Sequence, residues 1–139
     1  MIELLENHHF QDFAEKVTTY FAGVPHEWHK DGLAGKESWY ATALYFSFCT
    51  ANAALCVEES TAHGRSDMVL ITQKEVFLFE FKVAAQEKDK DKLLDQAMAQ
   101  IRGKEYGKKY QNRGQPVHLL ALVFGKEERS LLDYRHDLM

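Results

Sequence analysis

A layered α/β fold with a mixed sheet is predicted for this 139-residue chain by three features of its sequence. Helical periodicity occupies the first part of the chain. From Leu55 the pattern switches to short apolar runs of strand length, and one more helical stretch separates the third such run from the fourth. The order helix, helix, three strands, helix, strand has to bury its apolar faces in layers, and a crossover helix allows the strands on either side of it to lie parallel. With 45% hydrophobic and 27% charged residues, the chain falls in the range where one compact domain sustains its own core.

Residues 3 to 22 place Leu4, Leu5, Phe10, Phe13, Val17, Tyr20 and Phe21 mostly three or four apart, which predicts an amphipathic helix ended by Gly23 and Pro25. Gly32 and Gly35 mark a loop. A second helix is expected from near Lys36 to about Ala53, with Tyr40, Leu44, Tyr45 and Phe48 as its apolar stripe. Strands are expected near 55 to 59, 65 to 72 and 75 to 83, the last two joined as a hairpin through Thr72-Gln73-Lys74-Glu75. The charge run at 87 to 95 opens a solvated helix that continues to about Tyr110. Gly114 and Pro116 introduce Val117 to Phe124, a run apolar enough to be buried on both faces. The last fifteen residues fit neither period.

Composition narrows the function. Cys49 and Cys56 have no CxxC spacing and read as reduced intracellular thiols rather than a disulfide framework or thiolate zinc site. Glu3, Glu6 and Asp12 stand where a signal peptide would need basic and then apolar residues, and no apolar run reaches membrane-spanning length, so a cytoplasmic protein with no membrane partner is expected. The net charge of -4 argues against a broad electrostatic footprint for nucleic acid.

The chemistry-bearing constellation lies on the strand from Val76 to Val83. Side chains alternate between faces, so Glu80 and Lys82 share one and Phe77, Phe79, Phe81 and Val83 share the other. Charged residues inside so apolar a run call for pairing, metal binding or an edge position. The hairpin folds the preceding run back along this strand and allows Asp67 to converge with Glu80. Two converging carboxylates suit a hard cation such as Mg²⁺, and a neighbouring ammonium can act on water and phosphate. An ordinary cross-strand Glu-Lys ion-pair patch would have the same spacing.

Gly64-Arg65-Ser66-Asp67, twelve residues, then Glu80-Phe81-Lys82 resembles the signature of the PD-(D/E)XK nuclease superfamily. Glu37, within Lys36-Glu37-Ser38-Trp39-Tyr40, resembles that superfamily's first-helix acid, and Gln96 to Ile101 with Lys104 and Tyr106 resembles the helix after the signature strand. The pattern is most similar to the branch found at the C-terminus of bacterial proteins that begin with an AAA-ATPase-like domain. Ser66 replaces the usual proline, a departure that leaves the metal ligands intact.

The resemblance spans roughly residues 36 to 125. It implies a restriction-endonuclease-like three-layer core, with a mixed sheet of about four strands flanked by helices in αβββαβ order and an extra N-terminal helix. Residues 1–35 are then a helix and loop packed on the core, and 36–139 the nuclease-like domain. The implied activity is Mg²⁺-dependent phosphodiester hydrolysis of DNA or RNA, with Mn²⁺ able to substitute. Asp67 and Glu80 would bind metal, Glu37 would assist the metal or its water, Lys82 would act on the water, and Gln100 would orient the site. A catalytically silent binding or regulatory module on the same fold is the competing expectation. An ATPase-like domain in a longer parent and a homodimer are the protein partners considered.

Gln96, Gln100 and Lys104 recur every four residues and share a helix face, which could meet the Lys82 strand or form a solvated polar stripe. Arg65 could contact phosphate or pair with a neighbouring acid. Lys104, Lys108, Lys109 and Arg113, with Tyr106 and Tyr110 interleaved, compose the best nucleic-acid-contacting patch in the chain, although a helix C-terminus attracts cations in any case. His26-x-x-His29 lacks further ligands for a recognisable zinc set. His8, His9, His63, His118 and His136 are scattered and read as surface or core residues, with His63 near the rim of the Asp67 site.

Overall fold

The computed structural model describes residues 2–23, 37–49, 54–60, 66–103, 110 and 112–139. Helices α1 (Ile2–Glu6), α2 (Phe10–Ala22) and α3 (Glu37–Cys49) precede strands β1 (Ala54–Ser60), β2 (Ser66–Thr72) and β3 (Val76–Ala84). A 3-10 turn at Glu87–Asp89 leads into α4 (Lys90–Gly103), followed by β4 (Val117–Gly125) and β5 (Ser130–Leu138). The five strands lie side by side in sequence order. Their pairings are antiparallel except for β3 with β4, which are parallel across the α4 crossover.

The expected N-terminal helix is two helices. Leu5 and Phe10 are five residues apart, too far for one apolar stripe, and the chain breaks between them at His8, whose φ of 60° is left-handed. His8 N donates to Leu5 O at 3.0 Å and His9 N to Leu4 O at 2.8 Å, the two bonds of a Schellman closure with His8 in the place usually taken by glycine. α2 then buries Phe13, Val17 and Phe21.

The hairpin between β2 and β3 turns where the sequence predicts. Thr72 N donates to Glu75 O at 2.9 Å, and Thr72 Oγ1 accepts from the backbone N–H groups of Lys74 and Glu75. These bonds fix the register Ile71↔Val76 and every pair behind it.

Two apolar layers flank the sheet. Phe13, Val17 and Phe21 of α2 and Tyr40, Leu44 and Phe48 of α3 pack on Phe77, Phe79, Phe81, Leu120, Leu122 and Phe124. Leu94, Ala97, Met98 and Ile101 of α4 cover Val69, Val76, Leu78, Leu119, Ala121 and Val123 on the other face. Every residue of β4 is buried, as a central parallel strand requires. The restriction-endonuclease-like arrangement of a mixed sheet between helices is thus present, with β5 added beside β4 from the segment whose period was ambiguous. β5 is mostly half-buried and carries Asp133, Arg135 and Asp137, so its residues do not separate cleanly into apolar and polar faces.

Candidate active site

The β2–β3 register sets Asp67 opposite Glu80, and the β1–β2 register sets Glu59 opposite Asp67. Three acidic residues thus occupy one row across three strands. Glu80 and Lys82 alternate with the phenylalanines and lie on the α4 side with Val76, Leu78 and Ala84. Both are buried, Glu80 at 1% exposure and Lys82 at 6%. Their β4 neighbours are Ala121 and Val123.

The phenylalanine face explains the rigidity of this arrangement. Phe79 sits between Phe13 and Phe48, with ring centroids 6.1 and 6.0 Å away, and Phe81 stacks at 6.3 Å from Phe124. A strand anchored this firmly on one side cannot rotate Glu80 and Lys82 away from the other.

α4 covers the face that carries Glu80 and Lys82. Gln100 is half-buried on it, and its Oε1 is buried with no hydrogen-bond partner among the described residues. Gln96 is exposed, so the expected four-residue polar face divides between solvent and the edge of the core. Glu37 opens α3, the helix that packs on the opposite face of the sheet.

Arg65, Lys104, Tyr106 and Lys108 lie outside the described residues, as do Lys109, His63, His26 and His29. Of the remaining basic and aromatic patch, Tyr110 is a core residue at 4% exposure rather than a stacking platform, and Arg113 donates from Nε to Gln115 Oε1 at 3.1 Å.

The histidines correct the expectation that they are scattered. His8, Glu75 and His118 bring one ligand atom each to within 4.8 Å of one another. His8 Nε2 is 2.8 and 2.9 Å from the two Glu75 carboxylate oxygens. His118 Nε2 is 3.3 Å from Glu75 Oε2 but buried without hydrogen-bond alignment, while its Nδ1 is 2.8 Å from His136 Nε2. Burial pushes His118 below the usual imidazole range, against the upward pull of Glu75, with His8 adding to the fall. Burial and then the neighbouring His118 lower His136 in the same way. Sequence spacing carries no signal for this group, because its members come from a turn, a hairpin end and two strands.

Among the described residues, no helix is long and apolar enough to cross a membrane. A family model described as the PD-(D/E)XK nuclease superfamily matches residues 35–134. A protein of Azotobacter chroococcum mcd 1, named "Uncharacterized protein in vnfD 5'region", is 33% identical over 135 residues, covering 96% of this chain and 25% of its own length. The chain therefore spans about a quarter of the curated relative it matches. No solved structure matches it.

Proposed function

Because this chain belongs to the PD-(D/E)XK nuclease superfamily, we propose that it is a metal-dependent nuclease domain that hydrolyses phosphodiester bonds of DNA or RNA. The observation that carries the reading is the pairing of Asp67 opposite Glu80, with buried Lys82 two residues along the same face.

The donor set fits Mg²⁺, or Mn²⁺ in its place: carboxylate oxygens are hard ligands, and such ions keep waters and take further oxygens from substrate phosphate. Asp67 and Glu80 would hold the ion, whereas Glu37, at the start of the helix on the opposite face of the sheet, would have to reach the ion or its water around the end of the strands. The row position of Glu59 makes it a further acid to test. When bound, the ion supplies Lewis acidity toward water and a phosphate oxygen.

The chain's own groups do the rest. Lys82 Nζ orients the attacking water and offsets charge accumulating on the scissile phosphate. Gln100, whose buried Oε1 has no hydrogen-bond partner among the described residues, is suited to accept a hydrogen bond from that water or from Lys82. Burial of Glu80 and Lys82 keeps competing solvent out and strengthens both interactions. Arg65, Lys104, Tyr106 and Lys108 are the residues assigned to the nucleic-acid strand.

The AAA-ATPase-like branch is part of this reading, with the chain as the nuclease portion of a longer cytoplasmic parent. The fourfold greater length of the Azotobacter relative supports a larger parent. A net charge of -4 favours a second reading, a binding or regulatory module that keeps the fold but cleaves nothing, since few phosphates can be neutralised by such a surface.

Single- and double-stranded DNA and RNA incubated with the protein and Mg²⁺ or Mn²⁺ separate the two. Cleavage that needs the ion and falls by at least about 10²-fold in both Asp67→Asn and Lys82→Ala is expected. No cleavage of any substrate, with Mn²⁺ binding that is missing or unaffected by Asp67→Asn, would favour the silent module.

A further inference from the structure

The turn between α1 and α2 meets the far end of the sheet at Glu75, just before β3, and at His118, the second residue of β4. This is the opposite end of β3 from Lys82. It is also the opposite face, since His118 pairs with Phe77 and stacks on it at 4.9 Å in the α2 and α3 layer. We infer that His8, Glu75 and His118 form a second, separate metal site, one that takes Zn²⁺ or a divalent transition metal of similar chemistry through two imidazole nitrogens and a carboxylate oxygen.

The donor set selects the ion. Two imidazoles and one carboxylate are a combination that zinc accepts with a fourth position left to water, whereas Mg²⁺ prefers an all-oxygen shell. Ligand bonds of 2.0 to 2.1 Å at tetrahedral angles put neighbouring ligand atoms about 3.3 Å apart. His118 Nε2 and Glu75 Oε2 already stand at 3.3 Å. His8 Nε2, at 2.9 Å from the same Glu75 oxygen, has to move outward by about 0.4 Å to meet that spacing. Its side chain is 51% exposed on a turn, so this movement disturbs no core, and it gives an ion its way in.

His118 is built as a ligand rather than as a packing residue. Its side chain is 4% exposed, and its Nε2 faces the Glu75 carboxylate without forming a hydrogen bond. A proton on Nδ1 donated to His136 leaves a lone pair on Nε2, directed at the cluster, and such an outer partner fixes both tautomer and ring orientation in metal-ligating histidines. Phe10 stacks on His136 at 3.8 Å and holds that partner in place. The left-handed backbone of His8, which closes α1, sets its side chain toward Glu75.

Calorimetric titration of the untagged full chain with Zn²⁺ tests the site. One tight equivalent is expected, weakened at least about 100-fold in His8→Ala and in Glu75→Gln, and about 10- to 100-fold in His136→Phe, which keeps the ring stack. His8→Ala changes an exposed side chain, so a folded protein by circular dichroism keeps the result interpretable even where a buried variant fails to fold. Asp67→Asn must leave this equivalent in place, which separates the outcome from that of the nuclease reading. Zn²⁺ binding that is missing in the wild type, or equally tight in His8→Ala and Glu75→Gln, would reduce the group to a histidine-carboxylate ion pair and overturn the inference.

Discussion

Replacing Lys82 by methionine distinguishes an active-site lysine from a structural one. The substitution keeps the side chain's length and buried stem in a position that is 6% exposed, opposite Val123, and removes only the charge. If Lys82 served to neutralise Glu80, Lys82→Met would remove a neighbouring positive charge from a carboxylate of 1% exposure, at a cost of about 3 to 5 kcal/mol. For a chain of this size that is a fall of about 10 to 20 °C in Tm. In a site whose acids are arranged for a divalent ion, the ion takes over that role and the desolvation of the ammonium is relieved. The expected result is an unfolding free energy in Mg²⁺ within about 1 kcal/mol of wild type, with cleavage reduced at least about 10²-fold. Urea melts with and without Mg²⁺, run beside cleavage of end-labelled strands, read both quantities. A loss of about 3 to 5 kcal/mol that Mg²⁺ does not restore, together with cleavage at the wild-type rate, would refute this account of the strand's charged face.

Phe79→Ala empties the space between Phe13 and Phe48 and should cost about 3 to 5 kcal/mol in urea denaturation; a cost below about 1 kcal/mol would mean that the α2 and α3 layer is not packed on β3. Tyr40 is fully buried against Phe124, and burial pushes its phenol up to about 12, with Arg129 pulling down and Glu128 pushing up. A folded value above the unfolded 10.0 means the associated stability is complete below pH 10 and lost as pH rises through 12, about 3 kcal/mol in all. Wild type should therefore lose more stability than Tyr40→Phe across that window, and parallel curves would contradict the placement of this hydroxyl.

Much of the fold was legible in the chain because its signals are local. The alternation of Phe77, Phe79 and Phe81 with Glu80 and Lys82 defines a strand with one apolar face whatever lies beside it, and the Thr72 to Glu75 turn is short enough to imply the hairpin. The same locality explains the errors. An apolar stripe from Leu4 to Phe21 looks continuous unless the break at His8 is known, and that break is stabilised by its own backbone bonds, in a conformation that histidine rarely adopts. β5 was hidden because a half-buried edge strand does not need clean alternation. Tyr110 looked like part of a surface patch, because nothing in its neighbours indicates that its ring enters the core beneath α4.

The sequence by itself determined which residues could carry chemistry on one strand: Glu80 and Lys82 share a face through a backbone period of two, and the signature with Asp67 resembled the superfamily to which the chain belongs. Only the tertiary structure decided what stands next to what. Register aligned Glu59, Asp67 and Glu80, and the packing of α1 and α2 on the sheet carried His8 to a carboxylate 67 positions away. Such neighbours depend on pairings between distant segments, which the burial of whole layers fixes and the spacing of residues along the chain does not encode.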